Sequence, residues 1–212
     1  MSGNGDYSSV TNGIPNDDYL FDMNSMESIL KDYSLEDPKL FRQIYNDKYL
    51  VRPLSVLDYR RGYIDLLRQL TECGAITFEG YQQRFQQMKQ SGETYFIIVI
   101  EDLYTDQQIV GSATLVCEQK FIRQLAKRGR IEDVVIHDRA RGQQLGKLLI
   151  GLLTRIARDF CGCYKVSLEC KDHLVKFYQQ FGYFHEDQQN YLCQRFKNIS
   201  SQVQSRKNEH SE

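Results

Sequence analysis

One stretch in the second half of the chain constrains the fold more than any other. A β-rich run, Ile131–His137, leads into the loop 141–147, whose sequence is Arg-Gly-Gln-Gln-Leu-Gly-Lys. After the loop begins, apolar residues recur at helical spacing at Leu145, Leu148, Leu149, Leu152, Ile156 and Phe160. A helix that starts in this way presents unpaired N–H groups and a positive end, and both attract phosphate. The stretch therefore predicts a strand–loop–helix unit with a pyrophosphate-binding turn.

The loop does not fit two common nucleotide-binding motifs. The P-loop pattern GxxxxGK[ST] requires a hydroxyl where Leu148 stands, and no GxGxxG is present. A pattern this short also fits an ordinary strand-to-helix turn. On these residues alone, both interpretations stay open.

The remaining patterns predict a mixed α/β fold around this unit. Period-two or continuous apolar runs predict strands at 49–54, 95–101, 109–118, 164–170 and 191–196. Helical spacing predicts helices at 58–70, 77–89 and 174–181. Thr77 is placed to cap the second of these helices, and Gly182 follows the third as a left-handed C′ residue.

Composition and charge exclude several classes of protein. The 212 residues include 27 Lys+Arg and 28 Asp+Glu, and a net charge of −1 argues against a general nucleic-acid binder. The apolar runs are far shorter than the roughly 20 residues that a transmembrane helix needs. The N-terminus lacks the apolar segment of a secretion signal. We expect a cytoplasmic protein, and peripheral attachment to internal membranes stays open.

Polarity divides the chain into three parts. Residues 1–47 are rich in Asp, Asn, Ser and Gly, which predicts a largely disordered segment with room for one docking helix near residues 21–30. Residues 48–197 form the expected globular domain, and 198–212 form a polar tail.

The cysteines predict neither a disulfide framework nor a metal site. The chain has six, at Cys73, Cys117, Cys161, Cys163, Cys170 and Cys193. Without a secretion signal a reducing compartment is expected, and no second pair or histidine cluster completes a zinc site. Free thiols, most of them buried, are the favoured interpretation, and no metal is expected.

A family resemblance adds to this interpretation. The stretch 131–147, IEDVVIHDRARGQQLGK, resembles the acetyl-CoA-binding core of the GCN5-related N-acetyltransferases, the GNAT family. More narrowly, KRGRIEDVV at 127–135 and CYKVSLEC at 163–170 are similar to the glucosamine-6-phosphate N-acetyltransferases. With VRPL at 51–54 and VKFYQQFGY at 175–183, the resemblance covers about 150 residues, nearly the whole globular part.

The resemblance implies a fold, a reaction and an assembly. The fold is a mixed, mostly antiparallel central sheet flanked by helices, with a V-shaped splay that holds acetyl-CoA. The reaction is acetyl transfer from acetyl-CoA to the 2-amine of D-glucosamine 6-phosphate, by direct attack in a ternary complex and without a metal. The product would feed UDP-N-acetylglucosamine biosynthesis. The assembly is a homodimer in which Arg195 is supplied across the interface.

The resemblance also implies roles for particular residues. The phenol of Tyr178 faces the CoA sulfur, Glu169 receives the amine proton, and the N–H near Val134 polarises the thioester carbonyl. The implied acetyl-CoA residues are Val134, Val135, Arg141, Gly142, Gln143, Gln144, Leu145, Gly146 and Lys147. The implied sugar-phosphate residues are Thr71, Lys120, Phe121, Ile122, Arg123, Glu132, Asp133, Val134, Tyr164, Lys165, Glu169 and Arg195.

Plainer interpretations of the same residues exist. Without the family pattern, Glu132 and Asp133 would be solvated acids at a strand edge, and Tyr178 would be a core residue. The run 127–130, KRGR, is interpreted as a turn bordering the sugar-phosphate pocket rather than a nucleic-acid patch. Cys170 lies on the opposite strand face from Glu169, which disfavours a covalent acyl-cysteine route.

Three departures from the family pattern keep alternatives open. Gln144 replaces a glycine of the wider motif, Leu174 replaces an asparagine that often contacts the cofactor arm, and Arg123 replaces a histidine near the sugar. One alternative is a catalytically silent acyl-CoA-binding paralogue. Another is a GNAT enzyme that acetylates a different amine.

Overall fold

A five-stranded sheet forms the centre of the molecule. The computed structural model describes residues 18–36, 38, 41 and 48–196. The strands lie side by side in chain order: β1 is Tyr49–Pro53, β2 Tyr95–Asp102, β3 Gln108–Gln119, β4 Lys127–Ile136 and β5 Cys163–Leu168. The first four strands pair antiparallel, and β5 pairs parallel to β4. The predicted mixed, mostly antiparallel sheet is confirmed.

In the described part of the chain, five right-handed α-helices surround the sheet. They are α1 Met23–Glu36, α2 Tyr63–Arg68, α3 Phe78–Gln90, α4 Leu145–Arg155 and α5 Val175–Gln179. A 3-10 turn, Val56–Arg61, precedes α2, and Gly62 between them has φ 80°, so the single helix predicted at 58–70 is divided there. Thr77 caps α3 as predicted, because its Oγ1 accepts a hydrogen bond of 3.1 Å from the Gly80 N–H.

Alternate residues of β2 face two different hydrophobic layers. Ile98 packs on the side covered by α1 and α4, together with Met26 and Leu149. Its neighbour Val99 packs on the other side, together with Phe85 of α3. Both faces of the central strands are therefore buried, which explains why β2 is an almost continuous apolar run.

The expected docking helix is present, and it belongs to the main core. Met26, Leu30 and Tyr33 of α1 are buried with the α4 side chains. The core thus includes side chains of α1, although the sequence pattern predicts that the globular domain begins at residue 48. Residues 1–17 and 197–212, where disorder and a polar tail are predicted, lie outside the described residues.

A buried ion network ties β1 to β2 and to the 3-10 turn between β1 and α2. The Arg52 guanidinium donates two hydrogen bonds of 2.8 and 2.7 Å to Asp58 and one of 2.7 Å to Glu101. Arg61 donates to the same Glu101 oxygen at 3.3 Å. The guanidinium of Arg52 also lies 5.9 Å from the Tyr19 ring centroid. The segment before α1 therefore helps to keep this network away from water.

Two predicted elements are wrong. Within residues 48–196, the stretch 191–196 forms no strand, because no neighbouring strand in the same chain offers it a ladder. The run 127–130 is not a turn but the beginning of β4. Gly129 permits this pairing, since a Cβ there would lie only 3.1 Å from Leu115 Cδ1 and 3.2 Å from Val166 Cγ2.

The six cysteines are free, as predicted, but fewer are buried than expected. Cys117 and Cys161 are buried, whereas Cys170 and Cys193 are exposed. Cys117 and Cys163 face each other with their sulfur atoms 3.8 Å apart. Burial raises the pKa of the Cys163 thiol to about 12, which keeps it protonated and unreactive at neutral pH.

Candidate active site

The pairing of β4 with β5 ends part-way along β4. The last parallel pair is Ile131 and Leu168, where β5 ends, while β4 continues to Ile136 paired only with β3. Beyond the last pair β4 therefore has an open edge on its β5 side, where the family resemblance implies the V-shaped splay; we call this open edge the gap. In open α/β sheets such a gap at the carboxyl ends of strands is a common binding site.

A bulge in β4 lies along this gap. Ser112 of β3 faces Val135, and Thr114 faces Glu132, so Asp133 and Val134 together oppose one residue of β3. Asp133 has φ 52°, which is the left-handed conformation. An extra residue of this kind leaves backbone groups outside the ladder. The bulge can thus present the Val134 N–H to a ligand in the gap.

The loop between β4 and α4 fits a pyrophosphate. Gly142 and Gln144 have φ 78° and 61°, and a Cβ added at Gly142 would meet no atom within 4 Å. The loop therefore has an open side, and the first N–H groups of the 11-residue helix α4 follow it. Arg141 and Lys147 add positive charge, although the Arg141 guanidinium is paired with Asp138 at 2.6 Å.

Side chains from three other elements hold this loop. The Tyr49 hydroxyl of β1 donates to Gln143 Oε1 at 2.8 Å. The Gln69 side chain accepts from the Asp138 N–H at 3.1 Å, and Arg139 donates to Thr105 at 3.1 Å. Sequence reasoning missed all three contacts. No local pattern could have indicated them, because the partners are 94, 69 and 34 positions apart.

Tyr178 lies on α5 in an aromatic environment. Its ring is 5.0 Å from the Phe177 ring and 6.2 Å from the Tyr183 ring, and only 7% of the residue is exposed. Burial, and then the nearby Cys170, raise the pKa of the phenol above its usual value of about 10. Tyr178 is therefore neutral at physiological pH and can donate its proton.

The predicted acidic residues lie where β4 and β5 part. Glu132 follows Ile131, and Glu169 follows Leu168, which are the last paired residues of the two strands. Glu132 forms an ion pair of 2.7 Å with Arg130, and Glu169 is exposed. Both carboxylates are thus at the mouth of the gap, next to the exposed Asp133.

The structure brings together part of the predicted sugar-phosphate set. The Arg123 guanidinium lies 4.7 Å from the Tyr164 ring centroid, next to Lys165 on β5. Lys120 is half-buried and pairs with Glu118. In contrast, no hydrogen bond or ion pair recorded for residues 48–196 joins Thr71 or Arg195 to this group of cations.

The turn that carries Phe121 and Ile122 has an unusual conformation. Three consecutive residues, Arg123, Gln124 and Leu125, have positive φ values of 54°, 59° and 61°. Each left-handed residue without a glycine costs on the order of 1 kcal/mol. Phe121 is 95% exposed at this turn, and Ile122 is exposed as well. A strained and apolar turn beside the cations is typical of a binding surface.

Arg128 and Glu186 also approach the cations; sequence reasoning placed Arg128 in a run bordering the sugar-phosphate pocket and missed Glu186. Arg128 donates to Ser167 Oγ at 3.0 Å, across from β4 to β5. The Glu186 carboxylate accepts a hydrogen bond of 2.8 Å from Lys165. Lys165 lowers the pKa of Glu186, so the pair is ionised at neutral pH.

The structure offers no group suited to a metal among the residues it describes. Within residues 18–36 and 48–196, no cluster of three or more His, Cys, Asp or Glu side chains is arranged to hold an ion. Within the same part of the chain, no helix is long and apolar enough to cross a membrane.

Comparison with known proteins identifies the family. Residues 60–183, more than half of the chain, match the sequence model of the acetyltransferase (GNAT) family. The chain belongs to the GNAT family. The sequence-based expectation of this family is confirmed.

Within that family the similarity is to one kind of enzyme. A probable glucosamine 6-phosphate N-acetyltransferase of Drosophila melanogaster is 51% identical over 133 residues, which are 63% of this chain and 59% of the fly protein. The glucosamine 6-phosphate N-acetyltransferase of Arabidopsis thaliana is 38% identical over 64% of this chain and 90% of the plant protein. The match thus spans less than two thirds of the fly relative and most of the plant one.

The fold agrees with this similarity. The crystal structure of glucosamine-6-phosphate N-acetyltransferase from Arabidopsis thaliana has a TM-score of 0.66 at 34% sequence identity. The superposition covers 72% of this chain and all of the plant chain. The predicted GNAT fold is therefore confirmed.

Proposed function

We propose that the chain transfers the acetyl group of acetyl-CoA to the 2-amine of D-glucosamine 6-phosphate. The products are N-acetyl-D-glucosamine 6-phosphate and CoA, which places the enzyme in UDP-N-acetylglucosamine biosynthesis, in the cytoplasm. The similarity to glucosamine 6-phosphate N-acetyltransferases of animals and plants is the observation that carries this proposal. The positions of the site residues support it.

The acetyl-CoA site is formed by the β4 bulge and the following loop. Backbone N–H groups between Gly142 and Lys147 bind the pyrophosphate, with the positive end of α4 behind them. Backbone groups of Val134 and Val135 bind the pantetheine arm in the gap between β4 and β5. The Val134 N–H stabilises the negative charge that develops on the thioester oxygen.

The proton transfers use the two ends of the gap. Glu169 accepts the proton that the sugar amine loses as its nitrogen attacks the thioester carbon, directly or through water. Tyr178 gives its proton to the CoA thiolate as the carbon–sulfur bond breaks. A raised phenol pKa suits this role, because the group must be protonated before the reaction.

Attack by the amine is direct, without an acyl-cysteine. Although Cys170 is exposed, partial loss of solvent around its sulfur and then the neighbouring Asp172 raise the pKa of the thiol, so little thiolate is available at neutral pH. Cys170 is therefore a poor nucleophile beside a sugar amine that Glu169 can deprotonate.

The sugar phosphate is bound by cations on the β3–β4 turn and on β5. Lys120, Arg123 and Lys165 provide the positive charge, and Tyr164 lies against Arg123. Glu132 and Asp133 accept hydrogen bonds from the sugar hydroxyls, and Thr71, Phe121 and Ile122 border the substrate. We assign Arg195 to the phosphate site of a second copy, in a homodimer.

The exposed apolar surface near Arg195 supports the homodimer. Phe184, Tyr191, Leu192 and Phe196 are exposed on the segment that carries this arginine. Several large exposed apolar side chains on one segment are typical of an interaction surface. Light scattering of the purified protein tests this assignment, with a dimer expected at micromolar concentration and a monomer contradicting it.

The activity is tested by thiol release from acetyl-CoA with glucosamine 6-phosphate and unphosphorylated glucosamine compared. We expect turnover that strongly favours the phosphorylated sugar, because only its phosphate can bind the cations.

The role of Tyr178 is tested by substitution, and Tyr178→Phe should lower kcat by about 10²-fold. Tyr59→Phe is the matched control. The Tyr59 hydroxyl donates to the Ile76 carbonyl in the hydrophobic layer on the α3 side of the sheet. Acetyl-CoA binding without turnover of either sugar would contradict the proposal and favour a binding-only protein or another amine acceptor.

A further inference from the structure

The first strand of the sheet is bonded directly to the pyrophosphate loop. Tyr49 on β1 donates a hydrogen bond of 2.8 Å from its hydroxyl to Gln143 Oε1. Tyr49 is buried, so packing fixes the position of its ring and hydroxyl. A hydrogen bond made by such a fixed donor restrains its partner more than a bond between two mobile surface side chains does.

Lys48 extends this contact to a charged group. The Lys48 ammonium lies 4.8 Å from the centroid of the Tyr49 ring. Hydrogen bonding to Tyr49 raises the pKa of Lys48. Lys48 thus places a positive charge beside the Tyr49 ring, whose hydroxyl donates to Gln143.

Gln143, the residue bonded to Tyr49, lies between two residues in the left-handed conformation. Gly142 and Gln144, on either side of Gln143, have φ 78° and 61°. A non-glycine residue in this conformation costs on the order of 1 kcal/mol, and it persists only where the surroundings hold it. The loop therefore needs an attachment at this point if its N–H groups are to converge on a ligand.

We propose that Tyr49 is a positioning residue for acetyl-CoA binding, and that it acts through the side chain of Gln143. The Gln143 amide serves as the attachment of the loop, and the backbone N–H groups around it bind the pyrophosphate. Gln69 and Thr105 hold the earlier part of the loop at Asp138 and Arg139. This inference rests on the proposed acetyl-CoA site and is independent of the sugar acceptor.

The test compares two tyrosine-to-phenylalanine variants by calorimetric titration with CoA. Tyr49→Phe keeps the ring and removes the hydroxyl, and we expect CoA affinity to fall by about two- to tenfold, the net effect of one hydrogen bond. Backbone amides of residues 141–147 should exchange with deuterium faster in the free protein. In turnover, KM for acetyl-CoA should rise while kcat stays near the wild-type value, because the complex formed is unchanged.

The matched control is Tyr59→Phe, which loses an equally short hydrogen bond elsewhere. The Tyr59 hydroxyl lies 2.8 Å from the Ile76 carbonyl, in the α2–α3 layer. The Tyr59→Phe variant should bind CoA as tightly as the wild type, and its amides of residues 141–147 should exchange with deuterium at the wild-type rate. Equal CoA affinity and equal loop exchange in Tyr49→Phe and the wild type would overturn the inference.

A second variant removes the same bond from the other side. Gln143→Met takes away the amide but keeps the length of the side chain, and it should weaken CoA binding to the same extent. Adding Tyr49→Phe to Gln143→Met should then have no further effect, because the two residues share one bond. Additive losses of CoA affinity would show that Tyr49 does not act through Gln143.

The inference and the proposed function can fail separately. If the variants bind CoA as expected but the wild type does not acetylate glucosamine 6-phosphate, the proposed function fails and this inference stands.

Discussion

The two ends of the described chain carry similar apolar side chains and use them differently. Near the N-terminus, Leu30 of α1 is 2% exposed and packs in the main core. Near the C-terminus, Leu192 is 90% exposed, and Phe184 and Phe196 are exposed with it. Composition alone does not separate the two segments. Their difference shows that an apolar side chain is buried within its own chain only when its segment has a surface to pack on.

The N-terminal segment has both a periodic pattern and a receiving surface. The apolar residues of α1 recur at helical spacing and meet α4 across the sheet face. Gly151 of α4 makes room for Tyr33, whose ring atoms would lie 2.5–3.0 Å from any Cβ at that position. The C-terminal segment follows α5, and residues 184–196 pair with no strand of the described sheet. The homodimer proposed above would place these exposed side chains against a second copy.

The largest expected effect comes from making the same substitution at both ends. Leu30→Ala should lower the free energy of unfolding by about 2–5 kcal/mol, because it leaves a cavity in the core. Leu192→Ala should change the free energy of unfolding of the monomer by less than about 0.5 kcal/mol. Urea unfolding at low protein concentration measures both. Leu35→Ala, at an exposed position of the same helix, is the control for helix propensity. Equal losses at positions 30 and 192 would remove the distinction between the two ends.

A smaller effect tests the contact between α1 and α4. Gly151→Ala should destabilise the fold by about 1–3 kcal/mol, because the new methyl group overlaps the Tyr33 ring. Gly80→Ala on α3 should have the opposite sign and stabilise by up to about 1 kcal/mol, since its Cβ would meet only Thr77 Oγ1 at 3.5 Å. Thermal unfolding monitored by circular dichroism compares the two variants. A stabilising Gly151→Ala would mean that α1 does not pack there.

The smallest expected effect concerns the ion pair between the C-terminal segment and β5. The Glu186 carboxylate forms an ion pair with Lys165, which we assign to the substrate phosphate, so the two anions compete for the same ammonium group. Glu186→Gln should therefore lower KM for glucosamine 6-phosphate by about twofold. Because Lys165 lowers the pKa of Glu186, this carboxylate stays ionised at the ordinary carboxyl value, and the pair weakens as the pH falls through the lowered value.

The control for this variant is Glu93→Gln, which removes a surface pair of 2.7 Å with Lys127, since neither Glu93 nor Lys127 is assigned to the substrate. Steady-state kinetics with both variants decides the matter. A KM that is the same in Glu186→Gln and Glu93→Gln would mean that Glu186 does not compete with the substrate.

Much of the fold could be predicted from local patterns. The β-rich run before residue 141 and the apolar stripe after it indicated β4, the loop and α4, and Thr77 indicated the start of α3. These features depend on residues close together in the chain. The single helix at 58–70 was wrong because Gly62 adopts φ 80° and interrupts it. The strand at 191–196 was wrong because a strand needs a partner, and no strand among the described residues pairs with this stretch.

The candidate site was predicted less completely. Family resemblance supplied the residues of the splay and the loop, whose geometry the structure describes. The contacts that hold them in place depend on the tertiary fold: Tyr49 reaches Gln143 across 94 positions, and Lys165 reaches Glu186 across 21. The run 127–130 was misassigned because its three charged residues do not show a strand's apolar pattern, and because its close packing through Gly129 depends on β3 and β5.

One measurement tests most directly whether the exposed C-terminal segment completes the active site of a second copy. Tyr178→Phe and Arg195→Ala are each expected to impair glucosamine 6-phosphate acetylation severely when alone. If each site takes Tyr178 from one copy and Arg195 from the other, unfolding and refolding an equal mixture yields mixed dimers with one intact site. Activity should then recover to about a quarter of the wild-type value, since half of the dimers are mixed and half of their sites are intact. No recovery in a mixture shown by light scattering to contain dimers would contradict the account.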